Sequence, residues 1–528
     1  MMKEKLVIII LLLFTLLSYC QVQNISGGQV FDGEPYISIN PYNSQHMVVA
    51  WMSWEFPYRI SIKTRVSFNG GNTWTKAQRI PHIVSTYTSA DVSIAFDHQE
   101  HVFLSFIDYT GYEVEPLAGG IYCTQSIDGG LNWQAAVEVL QVDDDPGKRP
   151  IDRPWISIDR SAGVNQGNIY ITSMNAKDAN PDFHPYFMKS TNGGMSFEPW
   201  KFLDDHDWLA GNLIAQPMPT NCISSNGDFH AIYPSYVLSQ DILPQFIIAS
   251  STDAGENFSY HHVFHSIHNP DDSLSKKAYL IRSNPSNPSH LAFFYFDISN
   301  GDMDLFLRES FNSGETWSDS QKINDDDPMN HKMQDLVWAD FDDDGDLLVA
   351  WRDRRNGLND SYSTASEIWA SYRPKDSLNF QTNFRISDSL VAYDEILAFS
   401  GNDFMCVKLR DDTLNAVWGD TRDGKLNIWF RKMDINGHIS STIQLNNEKI
   451  IQAKVYPNPF NDIIHVQSQG IEAIFVYNLR GEIMIKQTEL KGKNNIHVNL
   501  TLLQNGSYFV KTYTVIGVAT NRIIKIGK

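Results

Sequence analysis

The chain has 528 residues, of which 42% are hydrophobic and 12% aromatic, so it has enough apolar side chains for a large folded core and is not an extended disordered chain. It carries 42 Lys and Arg residues against 62 Asp and Glu residues, a formal net charge of −20. This excess of negative charge repels polyanions at long range, which argues against nucleic acid and anionic membrane surfaces as partners.

The N-terminus is typical of an export signal. Its lysine-containing start is followed by an apolar run over residues 6–17, which is too short for a stable membrane span. We therefore predict a signal peptide over residues 1–20 and a mature chain that begins at Gln21. Cleavage before Cys20 with attachment of a lipid is the alternative, and the bulky Tyr19 disfavours it.

The cysteines do not predict a disulfide framework. After cleavage at Gln21 the chain keeps three of them at wide spacing, Cys123, Cys222 and Cys406. An odd number at such spacing fits neither paired disulfides nor a zinc site. We expect all three to be buried as small hydrophobic side chains.

A short motif recurs five times with a period of about 60 residues. Its copies are SFNGGNTW, SIDGGLNW, STNGGMSF, STDAGENF and SFNSGETW, which start at Ser67, Ser126, Ser190, Ser251 and Ser310. Asp or Asn beside Gly is typical of a tight turn, because the short side chain bonds to nearby backbone and Gly accepts a positive φ. Five such copies cannot all line one active site, so we predict that they are structural.

The motif resembles the Asp-box, or BNR, repeat of sialidases and other β-propellers, with Ala254 and Ser313 replacing the first glycine in two copies. Runs with strand-like alternation surround each copy, which predicts four-stranded meanders with the box between the third and fourth strands. Two later units lack a clean box, so we count seven units between about residues 28 and 446. The predicted fold is all-β, with a β-propeller over residues 21–450. Six blades, the number in characterised sialidases of this family, are the alternative.

The C-terminal residues have a different texture. The strings YPNP from Tyr456, NLRG from Asn478 and NGSY from Asn505, with a basic last strand, resemble the C-terminal sorting domain of type IX secretion cargo. The resemblance implies a small antiparallel β-sandwich over residues 451–528. It also implies that the type IX secretion machinery binds residues 454–528 and that the protein is secreted or attached to the outer surface.

Meander geometry predicts where a ligand site lies. The links into the first strands and the loops after the second strands open on one face, and the boxes open on the other. The residues just before the first strands are mostly polar or charged: Glu34, Asp91, Asp152, Arg153, Gln216, Lys277, Gln334, Asp335, Asp394 and Glu395. They predict a polar funnel for sugar hydroxyls or a cation, in which Asp91 and Asp335 are candidate substrate ligands. Hydrated strand ends are the alternative.

Two loops after second strands carry the same element, AWRDRRNGLND from Ala350 and VWGDTRDG from Val417. Each has a Trp at the end of a strand, followed by Asp-x-Arg. The tryptophans at such ends are candidate stacking platforms for sugar rings: Trp51, Trp54, Trp351 and Trp418. An Asp–Arg pair that braces the loop is the alternative reading, because the element occurs twice.

The resemblance to sialidases implies catalytic roles for some of these residues. Asp360 would be the acid/base, with Arg354 or Arg355 holding a substrate carboxylate. The corresponding arginine cluster would be Arg153, Arg355 and Arg422, and the nucleophile pair would be Tyr393 and Glu395.

A calcium loop is a further candidate. Asp340, Asp342 and Asp344, followed by Gly345, match the opening of a calcium-binding loop. The twelfth position is Trp351 in place of the usual glutamate, so a solvated acidic turn is the alternative.

Two functions remain open on these observations. The first is an exported, non-catalytic propeller that recognises extracellular glycans or glycoproteins. The alternative is an exo-acting glycoside hydrolase of sialidase type that cleaves terminal acidic sugars. Release of free sugar distinguishes them.

Overall fold

The computed structural model describes residues 22–28, 30–56, 59–111, 116–176, 179–240, 243–266, 279–393, 402–435, 453–478, 483–488, 490, 492–514 and 517–526. Every regular element in these residues is a β-strand, which confirms the all-β prediction. Within the same ranges no helix is available that could cross a membrane. The chain divides into two compact units, Met1–Asn436 and Gly437–Lys528. The predicted signal peptide lies outside the described residues.

The first unit contains strands β1 to β28. In chain order they are β1 (Gln23–Asn24), β2 (Asp32–Asn40), β3 (Asn43–Glu55), β4 (Arg59–Ser67), β5 (Gln78–Arg79), β6 (Thr88–Phe96), β7 (Val102–Gly111), β8 (Pro116–Ser126), β9 (Val137–Gln141), β10 (Asp152–Ile158), β11 (Ile169–Met174), β12 (Pro185–Ser190), β13 (Lys201–Phe202), β14 (Thr220–Ile223), β15 (Phe229–Ser235), β16 (Gln245–Ser251), β17 (Ser259–His265), β18 (Leu280–Ser283), β19 (Leu291–Asp297), β20 (Asp304–Ser310), β21 (Gln321–Lys322), β22 (Gln334–Phe341), β23 (Leu347–Asp353), β24 (Glu367–Arg373), β25 (Phe384–Arg385), β26 (Cys406–Arg410), β27 (Thr413–Asp420) and β28 (Asn427–Asp434).

These strands form four-stranded antiparallel sheets. Sheets 1 to 6 are consecutive meanders, β2–β5, β6–β9, β10–β13, β14–β17, β18–β21 and β22–β25, and sheet 7 has the order β1-β28-β27-β26. The first strand of each meander contacts the first strand of the next, and β26 of sheet 7 contacts both β22 and β2. The sheets therefore follow one another around a central axis, which is the arrangement of a β-propeller.

The core lies between neighbouring sheets. Between sheets 1 and 2, for example, Val48 and Ile62 belong to the same buried cluster as Ile94 and Leu104. Each sheet is covered on both faces by its neighbours. Because successive side chains of a strand point to opposite faces, each strand contributes apolar side chains to the layer on either side of it.

Sheet 7 is completed by the N-terminal strand β1. Gln23 pairs with Phe430 and Asn24 with Trp429, and the Ile25 amide donates to the carbonyl of Ile428 at 2.9 Å. The fourth strand of this sheet therefore comes from the other end of the unit. This explains why its sequence has no Asp box, since sheet 7 has no turn from a third to a fourth strand.

The five boxes form the same turn in the structure. The serine hydroxyl accepts the amide of the residue four positions later, at 2.7–3.0 Å, in Gly71, Gly130, Gly194, Gly255 and Gly314. The Asp or Asn carboxyl or amide oxygen accepts a second amide, at 2.8–3.1 Å, in Thr73, Asn132, Ser196, Asn257 and Thr316. The boxes thus close the hairpins into the outermost strands of sheets 1 to 5.

Ser313 is expected to strain its box. It holds φ at 57° where three other boxes have glycine, and a non-glycine residue in this region costs about 1–2 kcal/mol. We expect Ser313→Gly to raise the free energy of unfolding by about 0.5–1 kcal/mol, after the greater freedom of glycine in the unfolded chain is subtracted. Chemical denaturation followed by tryptophan fluorescence measures this.

The matched control is Gly193→Ala at the same box position. Gly193 has φ 68° and nothing within 4 Å of an added Cβ, so only the backbone cost applies. This change should lower the stability by about 1 kcal/mol. Equal signs for the two substitutions would contradict the assignment.

The three cysteines are buried and unpaired, as predicted. Burial raises the pKa of each thiol to about 12, so none is ionised near neutral pH.

The second unit has strands β29 (Lys454–Tyr456), β30 (Ile463–Tyr477), β31 (Ile483–Gln487), β32 (Lys493–Asn499), β33 (Gly506–Thr514) and β34 (Gly517–Lys525). The long β30 pairs with β29 and β32 through its first half and with β31 and β33 through its second half. Ile464, Val466 and Val476 of this strand are fully buried in the core of the unit. The β-sandwich remains a prediction.

Candidate functional site

Four of the first strands begin with the same irregularity of the backbone. A register shift near the start of β2, β6, β10 and β22 contains one residue with positive φ: Glu34 (53°), Asp91 (45°), Arg153 (52°) and Leu336 (56°). Each such conformation costs about 1–3 kcal/mol, and strain of this kind clusters at ligand sites. A bulge also re-aims the side chain that it carries. In three of the four strands, that side chain is charged.

Arg153 connects these charged residues. Its amide donates to Asp91 Oδ2 at 3.0 Å, and its guanidinium Nη2 donates to Asp403 Oδ2 at 3.1 Å. The amide of Asp403 lies 3.4 Å from Glu34 Oε1. The guanidinium also lies over the ring of Phe404, 5.2 Å from its centroid. We call Glu34, Asp91, Arg153 and Asp403 the entrance cluster.

The entrance cluster is ionic and reachable. Burial alone lowers the pKa of Arg153, but the charges of Asp403, Asp152 and Asp91 raise it above its ordinary value. The side chains of Arg153 and Asp403 are 18% and 21% exposed. A ligand can therefore contact a charged donor and a charged acceptor side by side.

The structure brings together only part of the predicted entrance residues. Glu34, Asp91 and Arg153 come together, and Gln216 bonds to Asp152 at 3.0 Å. Gln334 is fully buried. Lys277, Asp394 and Glu395 lie outside the described residues.

Asp403 is not among the entrance residues that the sequence predicts. The first strand of the last unit is expected directly after Asp394 and Glu395, whereas β26 begins at Cys406. The sequence signal for this strand is the pair Asp411 and Asp412, since Asp tolerates the positive φ that a two-residue hairpin turn needs. In the structure their φ values are 48° and 53°, and they join β26 to β27. Placing the hairpin there puts Asp403 just before the first strand.

Asp335 is not a substrate ligand. The side chain is fully buried, and its two carboxyl oxygens accept from Arg352 Nε at 2.7 Å, from Arg354 Nη1 at 3.1 Å and from the Tyr362 hydroxyl at 3.0 Å. Burial alone raises its pKa, but the two guanidinium groups outweigh this and lower it to about 2. Asp335 therefore pairs with two buried arginines and offsets one of their two positive charges.

The element after β23 is a local brace. Trp351 Nε1 donates to Asp353 Oδ2 at 2.7 Å, and Arg355 Nε donates to the same oxygen at 3.0 Å. Arg355 also pairs with Asp325 at 2.7 Å and lies 4.1 Å above the ring of Trp369, the cross-strand partner of Trp351. We call this arrangement the Trp-Asp-Arg clasp.

Sheet 7 repeats the clasp with Trp418, Asp420 and Arg422. Trp418 Nε1 donates to Asp420 Oδ2 at 2.8 Å, and Arg422 Nε donates to the same carboxylate at 2.9 Å. Arg422 also pairs with Asp388 and lies 4.4 Å above the ring of Trp429.

The clasps correct two predictions. Trp51, Trp351 and Trp418 are at most 1% exposed, so their rings cannot stack on a sugar. Arg355 and Arg422 are held by protein carboxylates and rings, and they do not join Arg153 in one cluster. The alternative given by the sequence, an Asp–Arg pair that braces the loop, describes Arg355 and Arg422.

The remaining site candidates are Asp360, Tyr393 and Trp54. Asp360 has a side chain that is 63% exposed and pairs with Lys332 at 2.9 Å. This bond lowers the pKa of Asp360, which is the wrong direction for a general acid. Tyr393 is half-buried, and its proposed partner Glu395 lies outside the described residues. Trp54, at the end of β3, is also half-buried.

Each of the three predicted calcium ligands bonds to a different group of the protein. Asp340 pairs with Lys408 at 2.9 Å, Asp342 accepts the amide of Asp412 at 3.0 Å, and Asp344 pairs with Lys375 at 2.7 Å. Throughout the described ranges, no three His, Cys, Asp or Glu side chains are grouped so as to hold a metal ion. The acidic hairpin is a turn whose carboxylates bond to lysines and to a backbone amide of the protein.

Comparison with known families identifies the end of the chain. Residues 454–526 match the model of the secretion system C-terminal sorting domain. This match confirms the sorting tail and indicates export by type IX secretion to the outer surface or the medium. No curated protein sequence matches the chain.

Three solved structures are similar at low identity. The NanB sialidase from Streptococcus pneumoniae has 12% identity and a TM-score of 0.41, covering 80% of this chain and 70% of that one. The α-L-arabinanase from Penicillium chrysogenum has 10% identity and a TM-score of 0.41, with 79% and 99% covered. The α-L-arabinofuranosidase of Fusarium graminearum has 12% identity and a TM-score of 0.40, with 78% and 98% covered.

Proposed function

We propose that the protein is an exported β-propeller that binds glycans at or outside the cell surface, through the entrance cluster and without hydrolysing them. The observation that carries the proposal is the repeated left-handed bulge. It brings Glu34, Asp91 and Arg153 to the starts of three consecutive first strands.

The entrance cluster has chemistry suited to sugar hydroxyls. Its carboxylates accept and its guanidinium donates charge-assisted hydrogen bonds, which are about twice as strong as neutral ones. Phe404 lies directly beneath the guanidinium of Arg153 and gives the cluster an apolar floor. A few convergent polar groups beside apolar rings are a common form of small-molecule site.

Two observations favour binding over hydrolysis. The clasp arginines, Arg355 and Arg422, are each hydrogen-bonded to two carboxylates and lie against an indole ring. The guanidinium of Arg153 is paired with one carboxylate among the described residues, Asp403. Asp360 is ionised by its pairing with Lys332, so it holds no proton to donate near neutral pH.

The test is a paired measurement on the full mature chain with sialylated, uronate-containing and neutral oligosaccharides. Calorimetry measures binding, and chromatography of the same samples measures free sugar. We expect saturable binding of at least one oligosaccharide without product. Arg153→Gln should weaken that binding about 10-fold or more, since a charge-assisted bond is lost.

The control is Arg79→Gln, which removes the same charge from β5. The side chain of Arg79 is 46% exposed and pairs with Glu55 at the surface, so binding should not change. Sugar release that disappears in Arg153→Gln would make the entrance cluster an active site and replace the proposal by the hydrolase alternative. Failure of every oligosaccharide to bind would overturn it.

A further inference from the structure

A cavity of about 340 Å³ lies at the other end of the ring from the entrance cluster. All seven first strands line it, near the ends that lead into the second strands, with residues such as Ser38, Ser157, Ser283 and Leu409. Its volume falls within the range of about 300–1,000 Å³ that is usual for small-molecule sites. None of the functions considered above uses it.

Aromatic rings separate the two ends. Trp155 stacks on Trp338 at 5.3 Å between ring centroids, and Tyr36 and Phe404 meet them edge-on at 5.0 and 5.2 Å. We call these four residues the aromatic plug. In β10, Trp155 of the plug and Ser157 of the cavity alternate on one face of the strand, and the bulge before them carries Arg153 of the entrance cluster.

The cavity is cationic although the chain is strongly acidic. Four cationic side chains line it against two carboxylates: Arg160, Arg282, Lys408 and Arg410, with Asp340 and Asp343. Lys408 pairs with Asp340, and Arg410 pairs with Asp343. Each carboxylate thus has a partner, and the surplus positive charge belongs to Arg160 and Arg282.

Arg282 is held in place by the protein. Its Nε donates to the carbonyl of Ala339 at 2.9 Å, and the guanidinium lies 4.9 Å above the ring of Trp338. Its charge nevertheless has no carboxylate within ion-pair distance in the described part of the chain.

Arg160 is the available cation. It is exposed to solvent, and its guanidinium makes no hydrogen bond or ion pair with any of the described residues. The like charge of Arg410 acts on it, so an anion beside Arg160 would relieve a repulsion. The buried hydroxyl oxygen of Ser157 likewise has no hydrogen-bond partner among the described residues.

We propose that this cavity binds an oxyanion, a carboxylate, sulfate or phosphate group on a small ligand, and that Arg160 holds it. Arg160 supplies a planar pair of donors that matches two oxygens of such a group. The serines of the wall supply further hydroxyl donors, and Arg282 and Lys408 add positive potential. The proposal does not depend on the entrance cluster.

The experiment titrates the full mature chain with sulfate, inorganic phosphate, glucuronate and glucose at low ionic strength, followed by calorimetry. We expect the three anions to bind and glucose not to bind. Binding should weaken as NaCl is added, because the interaction is electrostatic. Tighter binding of glucuronate than of sulfate and phosphate would indicate a carboxylated sugar, and the reverse order would indicate a sulfate or phosphate group.

Variants localise the site. Arg160→Gln should weaken anion binding about 10-fold or more, and Arg160→Lys should restore part of it. Since Arg160 makes no bonds to the described residues, neither change should shift the unfolding midpoint. Arg79→Gln should leave anion binding unchanged. Equal affinity in the wild-type protein and Arg160→Gln, or no binding of any anion at millimolar concentration, would overturn the proposal.

Discussion

Replacement of Asp335 by Asn should lower the free energy of unfolding of the first unit by about 3–5 kcal/mol. The substitution keeps the shape of the side chain and removes the negative charge that pairs with Arg352 and Arg354. The side chains of these arginines are 5% and 3% exposed, so water cannot replace the lost partner. All thirteen tryptophans lie before residue 430, so tryptophan fluorescence during chemical denaturation reports on this unit alone.

The effect should depend on pH. The pKa of Asp335 is lowered to about 2 in the folded protein, against about 3.9 in an unfolded chain. Its stabilising contribution is therefore fully present above about pH 4 and is lost as the pH falls through about 2. The difference between the wild-type protein and Asp335→Asn should shrink over this window. A difference that is constant from pH 7 to pH 2 would contradict this account.

The control is Asp360→Ala in the loop after β23. This carboxylate is exposed and pairs with Lys332 at the surface, so the unfolding midpoint should not move. Because Asp360 is the acid/base that the sialidase resemblance implies, the same variant also tests that role. It should bind the same oligosaccharides as the wild-type protein.

Removal of β1 should have an effect of similar size. A chain that begins at Gly28 loses the buried side chains of Val22 and Ile25 and the backbone bonds to β28. Burying one such side chain contributes about 1.5–3 kcal/mol, so we expect the stability to fall by about 4 kcal/mol. The exposed edge of β28 should also pair with other molecules, which analytical ultracentrifugation detects as self-association.

A double substitution separates the strand from its side chains. Gln23→Ala with Asn24→Ala keeps the backbone bonds of β1 and removes three polar contacts, one from Gln23 to the carbonyl of Gly71 and two between Asn24 and its partners Asp423 and Gly27. We expect it to cost less than about 1 kcal/mol and to leave the protein monomeric. Comparable loss in the deletion and the double substitution would show that side-chain contacts, not closure of the sheet, stabilise this edge.

The repeats explain how much of the fold could be predicted. The box turns were recognisable because a turn that needs Asp or Asn beside a positive φ leaves little choice of residue. The fourth strand of sheet 7 was not recognisable from the sequence. Gln23 and Asn24 show no strand-like pattern, and their partners are some 400 residues away. Local sequence signals do not encode such a pairing.

The entrance positions were predictable for the same reason. Glu34, Asp91 and Arg153 occupy equivalent places in three units, so their convergence follows from the repeat. The stacking role of Trp351 failed because position in a strand does not determine where an indole points. Asp353, two residues later, accepts its N–H and lets the ring be buried.

Closure by β1 also sets the order in which the protein can be completed. Ser26 and Ile428 form one of the closing hydrogen bonds across 402 positions of sequence. At a synthesis rate of about 5–20 residues per second, β28 emerges roughly 20–80 s after β1. During that interval the N-terminal segment has no strand to join, and the ring remains open. The finished propeller therefore first exists when its last sheet is delivered.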